Sequence, residues 1–158
     1  MLSFELVDSL FAYKDGFLYK KLKTGLLSTR ASGTKSSHGY MALKINGRMY
    51  LAHRIIYLLH HKTLPRYLDH IDGNRFNNHI ENLRSCSLGQ NNMNCKKRVS
   101  NISGHKNVSY RKNLNKWIVE VQENKIRHYL GCFEDFDLAC LVADEARNLY
   151  HKEFARNE

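Results

Sequence analysis

The stretch YLDHIDGNRFNNHIENLRSCSLGQNNMN, residues 67–94, gathers two aspartates, two histidines and seven asparagines. It sits in a chain of 158 residues with a formal net charge of +10, histidines excluded. Between Gly16 and Val119 there are nineteen Lys or Arg, and the only acids are Asp69, Asp72 and Glu81, all inside this stretch. A basic field of that extent suits a polyanion, either nucleic acid or an anionic membrane surface. Carboxylates beside phosphate would weaken such binding unless a cation sits between them. The plainer alternative is that Asp72 and Glu81 cap a turn and a helix.

Outward from this stretch, the apolar runs are short. IIYLL, residues 55–59, is typical, and nothing reaches the length of a membrane span. No charged n-region followed by an apolar h-region opens the sequence, which is read as soluble and intracellular. Cys86 and Cys95 are separated by eight residues, and Cys132 and Cys140 by seven. Structural zinc sites use closer pairs, so four free thiols in a reducing compartment are expected.

The flanking sequence predicts an α+β protein in two modules. LFAYKDGFLYKK (10–21) places an Asp-Gly turn between aromatic-rich runs, and YMALKINGRMYLAH (40–53) places Asn-Gly between alternating runs. Both are hairpin signals. HRIIYLLHHKTL (53–64) carries a helical stripe of Ile55, Ile56, Leu58 and Leu59 and stops before Pro65. YLDHI then reads as extended, Asp72-Gly73-Asn74 as a turn, and NNHIENLRSCS (77–87) as a short helix; a second begins near Gly89. Residues 1–95 form the first domain, the basic, Ser/Asn-rich segment 96–104 a linker, and 105–158 the second domain. In that second domain, strands NVSYRKNLNKWIVEV and KIRHYLGCF precede a helix capped by Asp135. Its apolar face is expected to hold Leu138, Leu141, Val142, Ala146 and Leu149.

The Asp69-His70 dipeptide on an extended strand sends adjacent side chains to opposite faces, so one can meet a metal and the other a substrate. Carboxylate and amide oxygens suit Mg²⁺ or Mn²⁺, which fill the rest of their shell with water and phosphate oxygens. Asn91, on the following helix, is a candidate for the second protein oxygen. An imidazole, with a pKa of roughly 6.5 in water, suits deprotonation of water near neutral pH. The alternative for these residues is a turn, a satisfied surface histidine and helix-capping asparagines.

The run LDHIDGNRFNNHIENLR followed by QNNMN resembles the HNH endonuclease family, in its phage and intron-encoded homing branch. The resemblance extends upstream through INGRMYLAHRIIYLL. It implies a ββα-metal fold that hydrolyses DNA phosphodiester bonds with one divalent ion, Mg²⁺ or Mn²⁺, in a bacterial or phage-infected cytoplasm. By position it makes His70 the general base, Asp69 and Asn91 the metal ligands, and Asn82 a second catalytic residue that steadies the metal loop and helps orient the base. Asn91 stands where many members carry histidine, which favours a hard, oxygen-preferring ion over zinc. Arg54 and Arg84 are candidate phosphate contacts or partners for Glu81, while His53 and His79 are read as structural hydrogen-bonders.

From about Ser103 to Ala155 the sequence resembles the Apetala-two or ethylene-response-factor DNA-binding domain, a three-stranded sheet backed by one helix. The matching exposed positions are Lys106, Arg111, Arg127 and Tyr129, with Ser109 and Gln122 in place of family arginines. Lys116 and the linker cations Lys96, Lys97 and Arg98 join this expected DNA surface. Trp117 is expected to pack between sheet and helix. The partner implied is double-stranded DNA, nicked by a monomer or cut on both strands by a dimer. The rival is a DNA-binding regulator on an HNH scaffold without activity.

Overall fold

The computed structural model describes residues 2–157, and the chain divides into two compact units between Cys86 and Ser87. That division comes earlier in the chain than the basic 96–104 segment. The first unit opens with a helix absent from the sequence reading, α1 (Phe4–Leu10), whose Leu6 N–H donates to the Ser3 hydroxyl. An antiparallel hairpin follows, β1 (Phe11–Lys14) with β2 (Phe17–Lys20). Next comes a three-stranded sheet of β3 (Thr34–Lys35), β4 (Met41–Ile45) and β5 (Arg48–Leu51), in that order.

Both hairpin turns take positive φ at both central residues. Asp15 and Gly16 have φ of 50° and 81°, and Asn46 and Gly47 have 46° and 81°. These are the primed turns whose twist matches the flanking strands. Gly16 answers a second demand, because a Cβ there would lie 3.1 Å from the His79 ring.

Helix α2 (Ala52–His61) supplies the centre of the first core. Ile55 and Ile56 are fully buried and pack with Val7, Phe11, Leu18, Leu43, Ile45 and Leu58. Each such side chain contributes about 1.5–3 kcal/mol by leaving water. The helix ends at Lys62, in the left-handed conformation (φ 56°), where its N–H reaches the Leu58 carbonyl. Strands β6 (Tyr67–His70) and β7 (Leu83–Cys86) then pair antiparallel, with Asp69 opposite Arg84 and His70 opposite Leu83. The helix expected over 77–87 narrows to a 3₁₀ turn, Ile80–Asn82. Leu83 buries its side chain while its backbone pairs with β6, which favours strand over helix there.

The second unit begins with α3 (Leu88–Met93), closed at its start by a capping box between Ser87 and Gln90. Strands β8 (Val108–Arg111), β9 (Lys116–Glu123) and β10 (Ile126–Phe133) form an antiparallel sheet with β9 in the middle. Helix α4 (Phe136–His151) packs on it, capped by Asp135 accepting from the Leu138 N–H at 2.7 Å. With the first unit's short helices and small sheets, this makes an α+β protein, and no helix among the described residues is long and apolar enough to cross a membrane.

The face of α4 matches the expected one at Val142 and Ala146 and differs at its three leucines. Ala139, Ala143 and Ala146 are buried, while Leu138, Leu141 and Leu149 face solvent, the last two at 63% and 67% exposure. The small alanines let the helix axis approach Val108 and Val119, and the leucines are left on the far side. Trp117 packs where the sequence placed it, with ring centroids 4.5 Å from Phe136 and 4.8 Å from Tyr110.

Candidate active site

Asp69 and His70 lie at the end of β6, both buried, at 7% and 5% exposure. Burial of a carboxylate demands compensation, and the register supplies it. Arg84, directly opposite on β7, donates from Nε and Nη2 to Asp69 Oδ2 at 3.1 and 3.0 Å. Arg84 therefore serves Asp69, where the sequence had offered phosphate or Glu81.

His70 is held by a residue that sequence reasoning passed over. Its Nε2 lies 3.0 Å from Asn78 Oδ1, an acceptor, so the ring proton belongs on Nε2 and the lone pair on Nδ1. Asn78 is itself buried. The ring is also walled by aromatic neighbours, with His53 at a centroid distance of 4.9 Å, edge-on, and Tyr40 at 6.1 Å. Burial above all, then the charges of His70 and Arg54, pushes the His53 pKa down to about 3. His53 is thus a neutral structural group at neutral pH. Arg75 covers the outer face of Tyr40 at 4.8 Å and donates to the His38 carbonyl.

The loop after β6 is stapled through Asp72. Its carboxylate accepts from the Asn74 N–H (2.7 Å), the Asn77 amide (2.7 Å) and the Asn82 amide (2.9 Å). The Asp72 N–H in turn donates to Asn82 Oδ1 at 3.0 Å. Burial works against ionisation of this carboxyl, but the bonds from Asn77, Asn74 and Asn82 outweigh it and hold its pKa below the ordinary value. Asp72 is a turn residue, as its Asp-Gly-Asn context implies. Asn82 also donates to the Asn77 carbonyl at 2.8 Å, tying the loop's two ends together. The Ile80 N–H donates to the Tyr13 hydroxyl, anchoring the 3₁₀ turn on β1.

The other predicted residues fall in both units. Arg54 donates to the Pro65 and Arg66 carbonyls. His79 rests its ring against Gly16. Asn91 lies on α3, in the second unit. Arg111, Lys116, Arg127 and Tyr129 share the sheet face opposite α4, as the β8–β9–β10 register requires. On that face Lys116 meets Glu134 at 3.2 Å, and Arg127 meets Glu120 at 3.7 Å. Lys96, Lys97 and Arg98 are exposed, and Lys97 also donates to the Gly104 carbonyl at 2.7 Å. Lys106 turns inward, giving its ammonium to the carbonyls of Met93, Cys95 and Arg156 at 2.8, 2.7 and 3.4 Å. Burial, then Arg147, pushes its pKa down to about 8.

Residues 50–93, from β5 through α3, match the model of a family described as HNH endonuclease. Protein 3.8 of Escherichia phage T7 is 37% identical over 90 residues, which cover 57% of this chain and 74% of that protein. The chain belongs to the HNH endonuclease family. No solved structure matches it. The HNH match takes in Asp69, His70, Asn78, Asn82 and Arg84, so the stapled loop and the cross-strand ion pair are features of the HNH domain itself. The Asn77-Asn78 doublet was the sequence signal for the missed partner of His70. Nothing in its spacing distinguishes which asparagine turns inward.

Proposed function

We propose that this HNH protein is a divalent-metal-dependent DNA endonuclease, of the homing type found in phages, that nicks DNA as a monomer. The observation that supports it most is His70, buried at the end of β6 and held at Nε2 by the buried Asn78, next in sequence to the buried Asp69. His70 takes a proton from water, and Asn78 orients its ring. Asn82 acts through Asp72 by holding the loop.

The donors proposed for the metal are oxygens, which suit a hard cation. Among the described residues no group of three or more His, Cys, Asp or Glu is gathered. Asp69 offers a single carboxylate, and Asn91 is proposed from the sequence pattern as the second oxygen donor. When bound, Mg²⁺ or Mn²⁺ would stabilise charge on the phosphate and on the leaving oxygen. Arg84 sets the orientation of the Asp69 carboxylate. The open sheet face of the second unit, with Arg111, Arg127 and Tyr129, is proposed to contact double-stranded DNA in the manner of an Apetala-two domain, and Lys106 is left as an internal brace.

The test is conversion of supercoiled plasmid to open circle with Mg²⁺ or Mn²⁺, and its suppression by chelator. Wild-type protein that leaves a range of DNAs intact with every metal, its source genome included, would overturn the proposal and favour a DNA-binding regulator.

A further inference from the structure

The second unit carries a groove of about 830 Å³ between α3, the segment after it and the β9–β10 turn. Five cations line it, Lys96, Lys97, Arg98, Lys106 and Lys125, and no Asp or Glu does. Lys96, Lys97, Arg98 and Lys125 are exposed, and none is paired with a carboxylate among the described residues. The sheet face is the contrast, since Lys116 and Arg127 there already have acidic neighbours. An unneutralised row of cations in a concave surface focuses potential onto an arriving anion.

The walls are held from within. Lys106 bonds the carbonyls of Met93 and Cys95, fixing the end of α3 and the start of the basic segment. Lys97 reaches the Gly104 carbonyl, and Asn101 the His105 carbonyl. At the far wall Asn124 and Lys125 form the β9–β10 turn with φ of 48° and 70°. The second of these positions favours glycine, yet the chain places a lysine there.

We propose that this groove is a channel for the phosphodiester backbone of DNA, running from α3 toward the β9–β10 turn. It deepens the nuclease reading and rests on it, because α3, whose Leu88, Gly89, Asn92 and Met93 line the groove, also carries Asn91, the proposed second metal ligand. Apart from His151 the lining has no ring on which a base can stack. The channel therefore grips backbone and leaves sequence unread.

The test uses the full chain with His70→Ala, so that DNA is bound uncut, and measures affinity for two unrelated duplexes across a salt series. Lys125→Gly and Arg98→Gln should each weaken both duplexes equally and make the slope of log affinity against log salt shallower by about 0.9 for each phosphate no longer neutralised. Lys125→Gly should leave thermal stability unchanged or raised, since glycine suits that backbone, so its loss of affinity is not misfolding. Wild-type affinity and slope in the Lys125→Gly, Arg98→Gln double variant would overturn the channel, as would a loss confined to one duplex. If the wild type nicks DNA while these variants bind normally, the channel falls and the nuclease stands. If they lose affinity while the wild type never nicks, the channel stands and the nuclease falls.

Discussion

The candidate active site of the first unit and the basic surface of the second handle charge in opposite ways. In the first, Asp69, Arg84, His70 and Asp72 are tied to named partners, and the first three are buried or half-buried. In the second, Lys96, Lys97, Arg98, Arg111 and Lys125 stand in solvent. The difference follows from what each set would do. A base and a metal ligand must be in position before the substrate arrives, and that position costs desolvation which only specific partners offset. Cations that hold backbone phosphate work best when water and counterions are all they surrender.

That contrast can be broken at its strongest point by Arg84→Ala, which takes the guanidinium away from the buried Asp69 carboxylate. Stability in urea should fall by about 3 kcal/mol, and Asp69→Leu in the same chain should recover much of it. A loss below about 0.5 kcal/mol would mean that the pair behaves as a surface ion pair. Next in size, Asn78→Ala should slow DNA cutting by about tenfold or more while leaving DNA affinity unchanged. Asn78→Asp, which keeps an acceptor toward Nε2, should retain more of the rate.

A graded effect is expected from His53. Its folded pKa lies near 3 and its unfolded value near the ordinary 6.5, so the unfolded chain takes up a proton first as pH falls. Stability from this group is complete above pH 6.5 and is lost progressively down to pH 3. A His53→Gln protein should show a flatter acid limb in its melting temperature, and an unchanged limb would exclude His53 as the source. Smallest is the sheet face. Arg127→Gln should cost only a few-fold in DNA affinity, because Glu120 already neutralises part of its charge. A larger loss than from Arg98→Gln would reverse the ranking of the two basic surfaces.

Much of the local architecture was legible because turn chemistry is local. Asp15-Gly16 and Asn46-Gly47 specify primed turns by backbone conformation alone, and the Ile55/Ile56 stripe specifies a buried helix face. The Asp69-His70 strand was legible for the same reason. Features set by tertiary partners were hidden. Leucine is the better hydrophobe, so α4 reads as burying Leu138, Leu141 and Leu149, but close approach to the sheet selects the alanines. Arg147 is fully buried and would read as a surface charge. Its guanidinium instead joins the Lys106 carbonyl, Asn107, Asn157 and Asp144, residues distant enough that no periodicity links them all. Asn78 was hidden by its twin, Asn77, which faces Asp72 and not the histidine.

The proposed role of His70 is to activate the water that cuts DNA. It is tested most directly by measuring binding and single-turnover cleavage of one duplex in parallel, for the wild type and His70→Ala, with Mg²⁺ or Mn²⁺ present. Equal affinity and a cleavage rate about 10²–10⁴-fold lower in the variant are expected. Equal cleavage by both proteins, or tight binding with no cleavage by the wild type in either metal, would contradict it.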